Sequence, residues 1–206
     1  MKKVNDSLAE NNKDCMFGIV SYKDLKYWDD IHPIDSCSSS SSVKNYERRR
    51  SENPHHGWYI ILLGNLYNET KALQIVLDKY LYLNRRTKNV RFFMPGFMVS
   101  AKGIMASRAQ KHGDKFEFYE EGFFETVEWL ETNKEDYAYS EDMEMLLLPY
   151  SKNGSTDDVF YDFEHMLSYN LDQIVRDGKN IIQFITRGVK VVEEQMNYNE
   201  TKAHME

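Results

Sequence analysis

Two hydrophobic rhythms alternate through the middle of the chain. Trp58-Tyr59-Ile60-Ile61-Leu62-Leu63 is apolar without interruption, the pattern of a strand buried on both faces. Gly64-Asn65 breaks the run. From Glu69 to Asn84 the apolar positions Ala72, Leu73, Val76, Leu77, Tyr80, Leu81 and Leu83 recur at spacings of three and four, which predicts a helix with one apolar side. Thr87-Lys88-Asn89 turns the chain, and Val90 to Met94 is a second short strand stopped by Pro95-Gly96. A helix between two buried strands predicts parallel neighbours joined by a right-handed crossover.

The flanking pattern extends this picture. Cys15 to Tyr22 has the β-branched and aromatic content of one strand, whereas Phe97 to Gly113 suits a loop with a short helix over Ile104–Gln110. Lys115 to Tyr119 alternates like a half-exposed strand. Phe123, Phe124, Val127 and Leu130 mark a helix from about Glu121 to Thr132, and Met143 to Leu148 predicts a third core strand ended by Pro149. Phe163, Met166, Leu167, Leu171, Ile174 and Val175 form a helical stripe over Asp158–Arg176. A last helix follows from Ile181 to about Asn197, with Gly188 as a weak point inside it.

Strands alternating with helices in this order predict an α/β fold. The expectation is a Rossmann-like or flavodoxin-like arrangement: a mostly parallel sheet with helices packed on it, and two C-terminal helices. Residues 1–56 are expected to be poorly ordered apart from the strand at 15–22, because the serine run Ser38–Ser42 and the charged stretch Glu47–Pro54 offer little apolar surface. A single domain then covers 57–197, with 198–206 a frayed tail.

Composition narrows the classes. The chain has 206 residues, enough for one substantial core. Its two cysteines, Cys15 and Cys37, have no CxxC partner or histidine at metal spacing, so neither a disulfide framework nor a metal site is expected. No stretch reaches membrane-spanning length and no apolar segment follows the N-terminal lysines, which leads us to expect a soluble cytoplasmic protein without a membrane partner. The net charge of −7 conceals a polarity. Residues 85–115 hold eight basic side chains against Asp114, and residues 117–144 hold eleven acids against Lys134. Blocks of opposite sign can pair within one molecule, join copies into a homo-oligomer, or face separate partners. The acidic balance makes DNA an unfavourable ligand.

Candidate chemistry gathers where parallel strands end, because loops and helix N-termini converge there. Gly64, Asn65 and Asn68 precede the first helix and suit an anion held by backbone N–H groups; the plainer reading is a turn glycine and helix caps. Gly96, Lys102 and Arg108 lie in a glycine-containing basic stretch able to approach phosphate. Glu69 and Glu121 are the candidate catalytic carboxylates, the latter crowded by Glu125 and Glu128 on one helix face. Asp162 and His165 stand three apart but lack further metal ligands. There is no GxGxxG, P-loop, GxSxG or HExxH motif, and no cofactor is indicated. Two functions follow as expectations. One is a binding or regulatory module for a small anionic, nucleotide-like ligand or a protein partner. The other is an enzyme that cleaves or transfers at the base–sugar bond of a nucleotide or nucleoside.

Overall fold

A computed structural model describes residues 21–23, 56–86, 92–99, 116–152 and 159–206. Two strands form its centre: β1 (His56–Leu63) and β5 (Glu144–Lys152) pair antiparallel along their whole length, from His56 opposite Ser151 to Leu63 opposite Glu144. Both are apolar on both faces because both faces are covered. Trp58, Ile60, Leu62, Met145 and Leu147 point to one side; Tyr59, Ile61, Leu63, Leu146 and Leu148 point to the other.

A short 3-10 helix (Leu66–Asn68) and α1 (Lys71–Arg86) follow β1, and β2 (Phe92–Phe93) returns parallel to it with Ile60 opposite Phe92. The expected strand–helix–strand crossover therefore forms. Next come β3 (Phe97–Val99) and β4 (Phe116–Phe118), which pair with each other in a separate two-stranded ribbon. Helix α2 (Glu120–Asn133) leads into β5. Strands β6 (Val159–Tyr161) and β7 (Leu167–Asn170) both pair antiparallel with β5, at opposite ends of its free edge. The chain closes with α3 (Leu171–Arg176), α4 (Ile181–Glu193) and α5 (Tyr198–Met205).

The sheet is thus five-stranded and mostly antiparallel, which overturns the mostly parallel, Rossmann-like or flavodoxin-like expectation. Among the described residues, only the β1–β2 pair is parallel. The reason lies in the route of the chain. The strand before α2 belongs to the ribbon and not to the main sheet, so α2 is no crossover between neighbours, and β5 enters running against β1. Helices still cover both faces. Apolar residues of α1, α3, α4 and α5 pack on the side of Ile60 and Leu62, and Phe123, Val127 and Leu130 of α2 pack on the side of Ile61.

Other differences have local causes. The helix expected over Asp158–Arg176 is β6, a turn, β7 and a short α3. Asp162 Oδ1 accepts the His165 amide and the Met166 amide bonds to Phe163 O, which bends the chain back onto β5. Met166 then packs on one face of the sheet and its neighbour Leu167 on the other, an alternation that a helix does not allow. Pro149 does not end β5; it pairs opposite Trp58 and the strand runs on to Lys152. The expected tail at 198–206 is α5, whose Thr201 and Met205 are buried. Within α4, Gly188 faces β5: a Cβ there would lie 3.2 Å from Met145 Cε. Of the expected strand at 15–22, only Ser21 and Tyr22 are described, in a bend and a 3-10 turn; the rest, like the serine run and the short helix at 104–110, lies outside the described residues.

Candidate functional site

The carboxyl end of β1 is built for close packing. Gly64 is buried, and a Cβ on it would meet Met143 Sδ at 2.5 Å. Asn65 then caps the 3-10 turn, its side chain accepting from the Tyr67 amide at 3.0 Å. Asn68 Nδ2 donates to Glu141 O at 2.9 Å and so ties this turn to the loop before β5. Glu69 is exposed and held at φ 40°, a left-handed backbone uncommon for a residue with a side chain.

At the first turn of α1 the amide donors meet the protein's own acceptors. Asp172 Oδ1 accepts from Ala72 N at 3.0 Å, and Thr70 Oγ1 accepts from Leu73 N at 3.2 Å. Asp172 is buried, and its other oxygen accepts from Met143 N at 2.8 Å. A carboxylate at a helix N-terminus satisfies donors and complements the partial positive charge. Asp172 fills that role from α3, a hundred residues away.

A second buried carboxylate opens β5. Glu144 Oε1 accepts from Ser140 N at 3.2 Å and Ser140 Oγ at 2.5 Å; Oε2 accepts from the Tyr137 hydroxyl at 2.8 Å and from Ser168 Oγ at 3.4 Å. Burial, reinforced by the Glu144 charge, pushes both the Tyr137 and Tyr139 hydroxyls well above the ordinary range for tyrosine. Next to this cluster, Asp142 receives bonds from Asn170 Nδ2 at 2.8 Å and Arg176 Nη2 at 3.1 Å, which hold its carboxyl below the usual carboxylate value. These groups together lash the 134–143 loop and α3 onto the sheet.

Among the other sequence candidates, Gly96 occupies a turn at φ 79° and is wrapped by Phe118, Phe123 and the Tyr119 backbone. Glu121 is exposed in the first turn of α2. Lys102 and Arg108 lie outside the described residues. Asp162 and His165 bond to each other at 2.8 Å, with the imidazole edge-on to Tyr198. Among the described residues, no group of three His, Cys, Asp or Glu is arranged to hold a metal ion. No helix there is long and apolar enough to cross a membrane.

A row of rings joins these pieces at the surface. Tyr67, 68% exposed, meets Phe118 edge-on at 5.8 Å; Phe118 lies 5.8 Å from buried Phe123, and Phe123 meets Phe124 at 5.3 Å. Phe124 is again 47% exposed. The row therefore runs from the turn after β1, across the β3–β4 ribbon, to the outer face of α2, with Glu69 near one end and Glu121 near the other. Its members are spread over three elements, so no local pattern in the sequence marks it. No protein-family model, curated protein or solved structure matches this chain.

Proposed function

We propose that the protein is a binding or regulatory module, acting on a protein partner through the Tyr67–Phe124 row and the carboxylates around it. One contrast carries this reading: the buried carboxylates Asp172 and Glu144 are directed at donors of their own chain, while the large rings of Tyr67 and Phe124 are left exposed. A carboxylate with both oxygens engaged is poorly prepared to move a proton on a ligand, and its burial is accounted for by the fold it secures. Exposed aromatic side chains next to a charged fringe are what protein interfaces use as anchors and rim. The cytoplasmic setting expected from the sequence is retained in this proposal, and a second copy of the chain is one candidate partner.

A second reading is favoured by Glu69. Its left-handed backbone at the end of β1 is the sort of local strain that functional positions store, so an enzyme acting on a nucleotide or nucleoside would carry its carboxylate there. Two measurements separate the readings. A photo-reactive phenylalanine at position 67 or 124 should cross-link a discrete protein partner in cells, whereas one at exposed Lys202 should not. Thermal shifts with nucleotides and nucleosides, with and without divalent metals, should stay flat. A saturable upward shift that disappears in Glu69→Gln would favour the enzyme, since a ligand of the native state raises stability by mass action.

A further inference from the structure

Helix α2 carries a small slot that the chain fills with its own Ser21-Tyr22-Lys23. The Tyr22 ring lies flat on Trp129, 4.7 Å away and inclined by 6°. The indole is fixed from behind by edge contacts to Tyr161 at 5.1 Å and Phe163 at 5.0 Å, so the platform belongs to the domain and not to the segment that sits on it. The Tyr22 amide donates to Thr126 Oγ1 at 3.0 Å; that hydroxyl is buried and itself donates to Gly122 O, which leaves its oxygen turned outward as an acceptor. On the residue just before Thr126, Glu125 Oε1 receives the Lys23 ammonium at 2.7 Å, while Oε2 is shielded and has no donor among the described residues.

These features read three things: a flat ring, the backbone amide of the same residue and a cation on the next one. Glu121 and Glu128 stand one turn to either side of Glu125 and are exposed, extending the negative field that drew Lys23. The stacked pair, the backbone hydrogen bond and the surface ion pair are each weak by themselves. The segment is joined to β1 through 32 residues, from Asp24 to His55, so it occupies the slot as part of the same chain.

We infer that this slot is a recognition site for protein segments in which an aromatic residue is followed directly by lysine, and that Tyr22-Lys23 is its exchangeable occupant in cis. The inference deepens the binding-module reading by naming a class of partner: a basic segment, better supplied with cations than the single Lys23. Such a segment competes with an occupant carried on the same chain. The site is self-blocked until a partner of that kind is abundant or is itself held close.

The test uses the full chain and a labelled peptide of residues Ile19 to Lys26, followed by fluorescence anisotropy. Tyr22→Ala should empty the slot and bind the peptide at least tenfold more tightly than the unaltered chain. Adding Glu125→Lys to Tyr22→Ala should abolish binding, and raising salt should weaken it. Equal affinity for the unaltered and Tyr22→Ala chains would overturn the inference. So would a folded Tyr22→Ala chain that does not bind, or binding indifferent to Glu125→Lys. Should Tyr22→Ala lose its cooperative thermal transition, Lys23→Ala takes its place, because that side chain is half exposed and the same ordering of affinities is required. A failed titration alongside a preserved cross-link at position 124 removes the slot and leaves the module; loss of both removes the module as well.

Discussion

Asp172 offers the sharpest test of how the domain is held together. It sits in the first turn of α3, yet its two oxygens take the Ala72 amide of α1 and the Met143 amide ahead of β5. The Leu171 amide returns the bond by donating to Met143 O at 2.7 Å, so three elements meet at one clamp. Asp172→Ala leaves two buried amides unpaired, and at about 1–3 kcal/mol for each unsatisfied donor the expected loss is about 2–6 kcal/mol. Asp172→Asn keeps one acceptor but turns an NH2 toward the other amide and removes the charge at the α1 N-terminus. Its expected loss is about 1–4 kcal/mol, one unsatisfied donor plus the dipole contribution. Urea denaturation should order the three chains as unaltered, Asn, Ala, with the midpoint falling and the slope unchanged. Hydrogen exchange should speed up at Ala72 and Met143 before it does at the centre of β5. An Asp172→Ala loss below about 1 kcal/mol, or equal losses for Asn and Ala, would refute the two-oxygen clamp.

The remaining predictions concern packing and pH. Leu62 is fully buried in the central strand, so Leu62→Ala should cost about 2–5 kcal/mol; a loss under about half a kcal/mol would contradict its place there. Gly96→Ala combines a φ of 79° with a Cβ 2.9 Å from the Tyr119 carbonyl, and the melting temperature should fall by several degrees; an unchanged value would show that the turn relaxes. Burial pushes the Tyr161 hydroxyl up from an ordinary 10.0 to about 12. The unfolded chain therefore loses that proton first, so this contribution to stability is complete below pH 10 and is lost as pH rises toward 12. Tyr161→Phe should flatten that alkaline decline, and an identical pH profile would show that Tyr161 is not buried as described.

How much of this fold could be read from the sequence depends on where the deciding interactions lie. β1, α1 and β2 were legible because an unbroken apolar run and a three–four spacing are local signatures, and the crossover between them is short. The direction of β5 was not legible. Met143 to Leu148 announces a buried strand, but nothing in its own residues says whether it runs with or against β1. Over 158–176 the apolar spacing fits a helix, and what decides otherwise is the edge of β5, which is vacant for β6 and β7 to fill. α5 was marked in the sequence after all. Asn197 and Glu200 form a capping box, each side chain bonding the other's backbone amide, although Tyr198–Met205 has no apolar stripe to accompany that signal.

The site shows the same division more strongly. Gly64, Asn65, Asn68 and Glu69 could be singled out because they follow a strand and precede a helix. Glu144 could not, since in sequence it is one of eleven acids in a block that reads as a solvated surface. What separates it from Glu121 or Glu128 is position in three dimensions: it opens a central strand opposite Leu63, where only hydrogen bonds from Tyr137, Ser140 and Ser168 make a buried carboxylate tolerable. Asp172 and Ala72 are a hundred positions apart, and Tyr22 and Trp129 farther still. The charge block thus contains acids that hold the fold, such as Glu144, and acids that face outward on α2, such as Glu121 and Glu128, and the second kind is available to meet a partner. Neutralising Glu121 and Glu128 should therefore alter recognition while sparing stability, whereas replacing Glu144 should do the reverse. The two classes, indistinguishable by composition, are separable by a denaturation curve and a binding isotherm measured on the same variants.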